Sequence, residues 1–166
     1  MKKRGRFRGL ILLPVLVLTP AGSKPLIASQ DEGNRLREEQ RATTETIRMI
    51  AIAVESYAVD ENRYPGPTDG AVDIRFLKRH LVPQYLKTPD WDDGWSHALR
   101  FRSDESHYVI VSYGSDGIPD NEGWGDGAYD TDLLHREMCR GPIPGSRHDI
   151  VLMDGEFCQY PAALNE

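Results

Sequence analysis

The residues best suited to chemistry lie in one acidic, glycine-rich segment between positions 116 and 132. Calcium binds six to eight oxygens from carboxylates and carbonyls on an adaptable backbone, and glycine lets a chain turn its carbonyls inward. The spacing is not that of an EF-hand, so a solvated acidic loop stays open as the alternative. We favour a divalent cation, because clustered carboxylates repel one another unless a positive charge offsets them. The polar residues of the segment are Asp116, Asp120, Asn121, Glu122, Asp126, Asp130 and Asp132, and its glycines are Gly117, Gly123, Gly125 and Gly127.

The two cysteines, Cys139 and Cys158, allow two kinds of site. In an exported protein a disulfide is expected, because oxidising compartments favour it, and this one would close a loop of about 20 residues. Alternatively, both cysteines could bind zinc with His135 and His148, since His135 and Cys139 have a ligand spacing that a helix can present. We predict the disulfide, because the start of the chain indicates export.

Motifs of the familiar enzyme classes do not occur in the sequence. It contains no G-x-S-x-G, no H-E-x-x-H and no phosphate-binding loop. His97 and His107 flank a predicted hairpin and are expected at the surface, because no nucleophile or metal constellation is placed beside them. Trp91, Trp95 and Trp124 could form a sugar-binding platform, and Trp124 is the one expected to be exposed and to face a partner. We predict that the protein is not an enzyme.

Charge is unevenly distributed along the chain. The whole chain has a formal charge of −6, and residues 1–29 carry six basic residues and no acidic one, which leaves −12 for residues 30–166. So acidic a body repels nucleic acid and anionic membrane surfaces. We therefore exclude nucleic acid as a partner and expect cations.

The basic start is followed by an apolar run at residues 10–18, the layout of a secretory signal peptide. This run is too short to span a bilayer, which needs about 20 apolar residues. Pro20 and Gly22 then interrupt the pattern, and small residues follow. We predict that residues 1–29 are a leader and that residues 30–166 are a single exported globular domain.

Periodicity predicts an α+β fold with one long N-terminal helix packed on a small antiparallel sheet. Apolar residues at helical spacing predict this helix over residues 35–60, with residues 30–34 as a linker or frayed start and Asn62 at its end. A short helix is predicted over 72–81, and strands over 98–102 and 108–113. Strands over 150–153 and 156–159 flank Asp154-Gly155, which is typical of a type I′ turn. Residues 114–146 are predicted to be a long loop, which a metal or a disulfide would have to hold.

Five segments resemble, in chain order, motifs of the major pseudopilins of type II secretion. The similarity covers about residues 43–133, and the tail from His135 onward has no counterpart in it. In residues 57–65, Asn62 stands where the family usually has glycine, and Trp95 matches the tryptophan of a family turn, which implies a core position. The segments are 57–65 ("Y-x-x-D-N-G-x-Y-P"), 81–86 (the stretch before the first strand), 93–101 ("D-P-W-G-N-P-Y-x-Y"), 112–117 ("S-L-G-A-D-G") and 130–133 ("D-A-D-I").

The resemblance implies a pilin-like fold and one structural calcium in the acidic loop. Residues carried over from the family motifs supply both side-chain and backbone oxygens. Inserted residues leave Asp126 open as a further ligand. The implied ligands are the Asp116 carboxylate, the carbonyls of Tyr113 and Ile118, and the closing acids Asp130 and Asp132.

The N-terminus departs from the family pattern. Pseudopilins carry a basic leader, a glycine and about 20 apolar residues with glutamate at the fifth position, whereas here Pro14 occupies the fifth position after Gly9. An ordinary signal peptide therefore fits better than prepilin processing, although a degenerate prepilin leader that anchors the protein to the membrane stays open.

The resemblance implies a structural, calcium-stabilised component or accessory of type II protein secretion. Its expected partners are other secretion-system or pseudopilin subunits. The alternative is a free exported, calcium-stabilised binding domain that has a pilin-like fold.

Overall fold

A long helix packed on a six-stranded sheet dominates the computed structural model, which describes residues 26–125 and 130–162. Residues 1–25 of the predicted leader, residues 1–29, lie outside this range. The helices of the described part are α1 (Leu26–Glu61), α2 (Lys78–Leu81) and α3 (Thr131–Met138), and its strands are β1 (Val72–Asp73), β2 (Arg100–Ser103), β3 (Tyr108–Ser112), β4 (Gly141–Ile143), β5 (Ile150–Met153) and β6 (Glu156–Pro161).

The predicted long helix is confirmed, but α1 begins at Leu26, well before residue 35. Residues 30–34 are therefore helical, which excludes the linker and leaves the helix start of the two alternatives. Local propensity does not explain this, because Asp31, Gly33 and Asn34 are weak helix formers. The chain leaves the helix at Asn62, whose φ of 57° lies in the left-handed region, as predicted for an asparagine after a helix end.

The sheet has the strand order β1-β2-β3-β5-β6-β4. All neighbouring pairs are antiparallel except β4 and β6, which are parallel. The sheet is therefore antiparallel, as predicted, except for this parallel pair at one edge, which makes it mixed. The predicted short helix over 72–81 is also shorter than expected, because Val72 and Asp73 pair with β2 before a 3-10 turn leads into α2.

Residues 114–146 contain more structure than the predicted loop. Both α3 and β4 lie within this range, and each is too short to show apolar periodicity in the sequence. The hairpin prediction is confirmed: Asp154 and Gly155 join β5 to β6 with φ values of 47° and 86°, the positive pair that a type I′ turn requires.

Apolar side chains cover both faces of the sheet. On one face, α1 packs its buried residues against Phe101, Ile110 and Leu152. On the other face, Leu134 and Met138 of α3 pack with other apolar residues against the sheet. The sheet is therefore the middle of three layers, and α3 forms part of the third.

Both edges of the sheet are short. At one edge, β1 has two residues, and at the other, β4 has three, with Pro142 in the middle.

None of the helices within residues 26–125 and 130–162 is long and apolar enough to cross a membrane.

The predicted disulfide is confirmed between Cys139 and Cys158, with a Cα–Cα distance of 4.7 Å. It joins the residue after α3 to β6, and so ties the third layer to the sheet. Because the cysteines are bonded to each other, the alternative of a zinc site with His135 and His148 is ruled out for this form of the chain.

Removing the disulfide should lower the free energy of unfolding by about 3 kcal/mol, because the unfolded chain regains the freedom that closure of the loop took away. Urea unfolding of the wild type and of a Cys139→Ala, Cys158→Ala double variant measures the difference. A reductant should destabilise the wild type and leave the double variant unchanged. Equal urea midpoints for the two proteins would contradict the prediction.

Candidate functional site

The candidate site is the turn that follows β3, residues 113–120, and the segment before β5 on which this turn packs. Gly114 has a φ of 65°, and a Cβ atom there would lie 2.7 Å from the carbonyl oxygens of both Arg147 and His148. The N–H of Ser115 donates to the carbonyl of Ser146 at 2.8 Å. A side chain at position 114 would separate the two segments, so glycine is required for this close packing.

A buried carboxylate, Asp93, holds the start of this turn in place. Its Oδ1 accepts the backbone N–H groups of Trp95 and His97 at 3.0 and 2.8 Å, and its Oδ2 accepts the Ser112 hydroxyl at 2.7 Å. The same hydroxyl oxygen of Ser112 accepts the N–H of Gly114 at 3.2 Å. Asp93 is only 6% exposed, so its charge is stabilised mainly by these donors.

Three predicted metal ligands lie together on the turn. Tyr113 is half-buried, while Asp116 and Ile118 are exposed. The carboxylate of Asp116 accepts the N–H of Ile118 at 3.2 Å, and Gly117 between them adopts the left-handed conformation with a φ of 67°. A carboxylate and two backbone carbonyls, all hard oxygen donors of the kind that calcium prefers, therefore lie within six residues.

The other two predicted ligands begin α3. Asp130 is its N-cap, and its carboxylate accepts the N–H of Leu133 at 2.9 Å. Asp132 is exposed in the first turn. Asp126, the further ligand left open, lies outside the described residues.

Within residues 26–125 and 130–162, no three His, Cys, Asp or Glu side chains are grouped closely enough to hold a metal by themselves. Backbone carbonyls would therefore have to supply part of any ligand set drawn from these residues alone. The five predicted ligands stay a prediction.

A reciprocal pair of aspartates, Asp120 and Asp149, closes the far end of the turn. The N–H of Asp120 donates to Asp149 Oδ2 at 3.1 Å, and the N–H of Asp149 donates to Asp120 Oδ2 at 3.2 Å. His148 Nδ1 lies 3.2 Å from the other oxygen of Asp120. Sequence reasoning missed Asp149; the available signal was an acidic residue directly before the apolar strand residues 150–153.

The two aspartates of this pair have opposite pKa shifts. Burial raises the pKa of Asp149 to about 7, and the negative charges of Asp120 and Asp116 act in the same direction. Burial also acts to raise the pKa of Asp120, but its hydrogen bonds with His148 and with the N–H of Asp149 outweigh it and hold the pKa below its usual value. Ionisation is therefore less favourable at Asp149 than at Asp120.

The expectation that Trp124 is exposed and faces a partner was wrong. Trp124 is 4% exposed, because its ring packs with α3 on the third layer and lies edge-on to Tyr113. Its carbonyl also accepts a hydrogen bond from Arg102. Trp95 is partly buried against the core that α1 shares with the sheet, the kind of position that the resemblance implied. With Trp124 buried, an exposed platform of three tryptophans is not formed.

One long helix on a small mixed sheet, with a glycine-dependent turn after β3, defines the α+β domain of the pilin-like class. The model of the family described as type II secretion system (T2SS), protein G, matches residues 32–128. This chain belongs to that family, as the sequence motifs indicated. No curated protein matches the chain. The match ends before α3, so α3, β4, β5, β6 and the disulfide lie beyond the matched range.

Replacing Asp93 with alanine should lower the free energy of unfolding by about 3 kcal/mol, because buried donors from Trp95, His97 and Ser112 would lose their acceptor. The matched control is Asp104→Ala, since Asp104 also accepts two backbone N–H groups, those of Ser106 and His107, but in a more exposed turn. The control should cost about 1 kcal/mol or less. Chemical denaturation measures both, and equal losses in the two variants would show that burial of the Asp93 network is unimportant.

Proposed function

We propose that this chain is a structural, pseudopilin-like component or accessory of a type II secretion apparatus, which acts by assembly in the periplasm or cell envelope. Its family is structural rather than catalytic, and the family match covers nearly all of α1 together with β1, β2 and β3. We also propose that residues 1–29 direct export, as a signal peptide or as a modified prepilin leader. The observation that carries the assembly role is the outer face of α1.

The outer face of α1 carries an exposed apolar strip, consisting of Met49, Ile52 and Val59. These side chains are 48%, 61% and 83% exposed. Ile52 and Val59 also line a groove between α1 and the β5–β6 hairpin. Residues separated by three, seven and ten positions share one helix face, so the three side chains lie along one side of α1 over about three turns, with exposed Ser56 between Ile52 and Val59. A contact with another subunit would remove this apolar surface from water.

Placing a charge on the strip should weaken assembly without unfolding the protein. The variant is Ile52→Asp, and the expected result is several-fold lower recovery of secretion-system subunits after cross-linking and affinity purification of the tagged, full-length protein. Its free energy of unfolding should change by no more than about 0.5 kcal/mol apart from helix propensity, because the side chain is exposed.

Ala42→Asp is the control for this variant, because Ala42 is exposed on the same face of α1 but lies about two turns before Met49, beyond the end of the strip. It places the same new charge on α1 and should leave recovery of the subunits unchanged. Wild-type recovery of the subunits with both variants would exclude the strip as the assembly surface. Recovery reduced by the same factor in both variants would indicate that any added negative charge on α1 interferes.

We propose further that one calcium ion binds the turn after β3. Supporting this are the carboxylate of Asp116 and the carbonyls of Tyr113 and Ile118 on one short turn, together with the net charge of −12 on residues 30–166. Asp130 and Asp132 follow later in the chain, at the start of α3. A bound calcium would neutralise part of this charge and restrict the turn that connects β3 to the third layer.

Calcium should raise the melting temperature of the protein relative to a chelator, because a ligand that binds only the folded state stabilises it. At a calcium concentration 100 times Kd, the gain is about 2.7 kcal/mol. Magnesium should have less effect, since it is smaller and demands stricter octahedral geometry. Asp116→Asn should reduce the calcium-dependent shift. Identical melting curves in calcium and in chelator would mean that the acidic segment is only solvated.

A further inference from the structure

A carboxylate oxygen of Asp149 is buried without a hydrogen-bond partner among the described residues. Asp149 is 2% exposed. Its Oδ2 accepts the N–H of Asp120 at 3.1 Å, but its Oδ1 has no donor within residues 26–125 and 130–162. Native structures leave few buried polar atoms unsatisfied, and an ion is one of the explanations for such an atom. A buried charged oxygen is the most costly kind to leave alone.

The surroundings of this oxygen are negative. The charges of Asp120 and Asp116 both act on Asp149, and Asp120 returns the hydrogen bond to the N–H of Asp149. The imidazole of His148 contacts the carboxylate of Asp120 at 3.2 Å, so it is Asp120 that receives its direct hydrogen bond. A cation beside Asp149 would offset repulsion that these contacts leave in place.

A second buried oxygen in the same cluster also lacks a partner among the described residues. The Nε2 of Gln159 donates to Asp120 Oδ2 at 3.1 Å and to the carbonyl of Asp149 at 2.9 Å. These two acceptors fix the orientation of the amide, and they leave Gln159 Oε1 buried and without a partner in the part of the chain that the structure describes. Gln159 is 1% exposed. Two hard oxygen acceptors without donors, next to a reciprocal aspartate pair, match the ligand chemistry of calcium.

The position of Asp149 places it against the proposed calcium turn. Gly114 packs on the carbonyls of Arg147 and His148, and Asp120 binds Asp149 directly. Both ends of residues 113–120 are therefore attached to residues 146–149. The negative charge of Asp149 also acts on the side chain of Tyr113.

We propose that Asp149 supplies a side-chain oxygen, Oδ1, to the calcium ion of the turn after β3. The inference rests on the proposed calcium site and adds to it a ligand from outside residues 32–128, the range that the family match covers. The ion would bridge the turn after β3 and the segment before β5, so that calcium binding and closure of the central strand pair β3–β5 are coupled.

The test is Asp149→Asn, measured by calcium titration calorimetry and by thermal melting of the full-length mature protein in calcium and in chelator. Asparagine keeps the acceptor for the N–H of Asp120 and removes the charge. We expect calcium affinity to fall by about tenfold or more. In chelator the variant should melt at the wild-type temperature or above it, because the uncompensated charge is gone, whereas in calcium it should melt below the wild type.

The matched control is Asp154→Asn, because the Asp154 carboxylate accepts the N–H of Tyr108 at the other end of the sheet, at 2.9 Å. It should shift melting equally with and without calcium and leave calcium affinity unchanged. Wild-type calcium affinity in Asp149→Asn would overturn the inference and leave the proposed calcium turn intact. The inference would also be overturned if Asp149→Asn lost the same stability in calcium and in chelator, or if it failed to fold in chelator. No calcium binding by the wild type would overturn both proposals.

Discussion

The buried carboxylate of Asp93 is the constraint on which the arrangement of the candidate metal turn, residues 113–120, depends. It accepts N–H groups from its own turn and a hydroxyl from the last residue of β3, Ser112. The same turn reaches α1, because the N–H of Gly94 donates to Thr43 Oγ1 at 2.8 Å, and a Cβ on Gly94 would lie 2.2 Å from the carbonyl of Glu39. The Asp93 carboxylate thus holds the end of a central strand and the start of the candidate metal turn, and its neighbour Gly94 attaches the same segment to α1.

The part of the chain outside the family match is integral to the sheet. Strand β5 lies between β3 and β6, and so occupies the middle of the sheet rather than an edge. Its side chains contribute to both faces: Leu152 packs toward α1, and Val151 packs toward α3. The domain therefore cannot be divided into a family core and a dispensable tail, because removing residues after 128 would expose both cores at once.

The sequence predicted the features whose causes are local. The buried face of α1 repeats at helical spacing, and Asp154-Gly155 can supply the two positive φ values of a tight turn. Prediction from the sequence failed where tertiary contacts determine the structure. The elements α3 and β4 are too short to show a period, and Trp124 is buried by α3, which follows it in the chain. The same distinction between local and tertiary causes explains why only part of the candidate site was predicted. Asp116 and Tyr113 lie three residues apart, whereas Asp149 reaches the turn only through the β3–β5 pairing, which no motif announces.

The short ends of the sheet restrict how copies or partners can join it. An added strand needs a row of free backbone donors and acceptors, but β1 offers two residues, and the middle residue of β4 is Pro142, which has no N–H. Growth by strand addition, the route by which open sheets form fibrils, is therefore disfavoured at both sides. Any contact between copies of this domain would therefore have to use surfaces other than the two sheet edges.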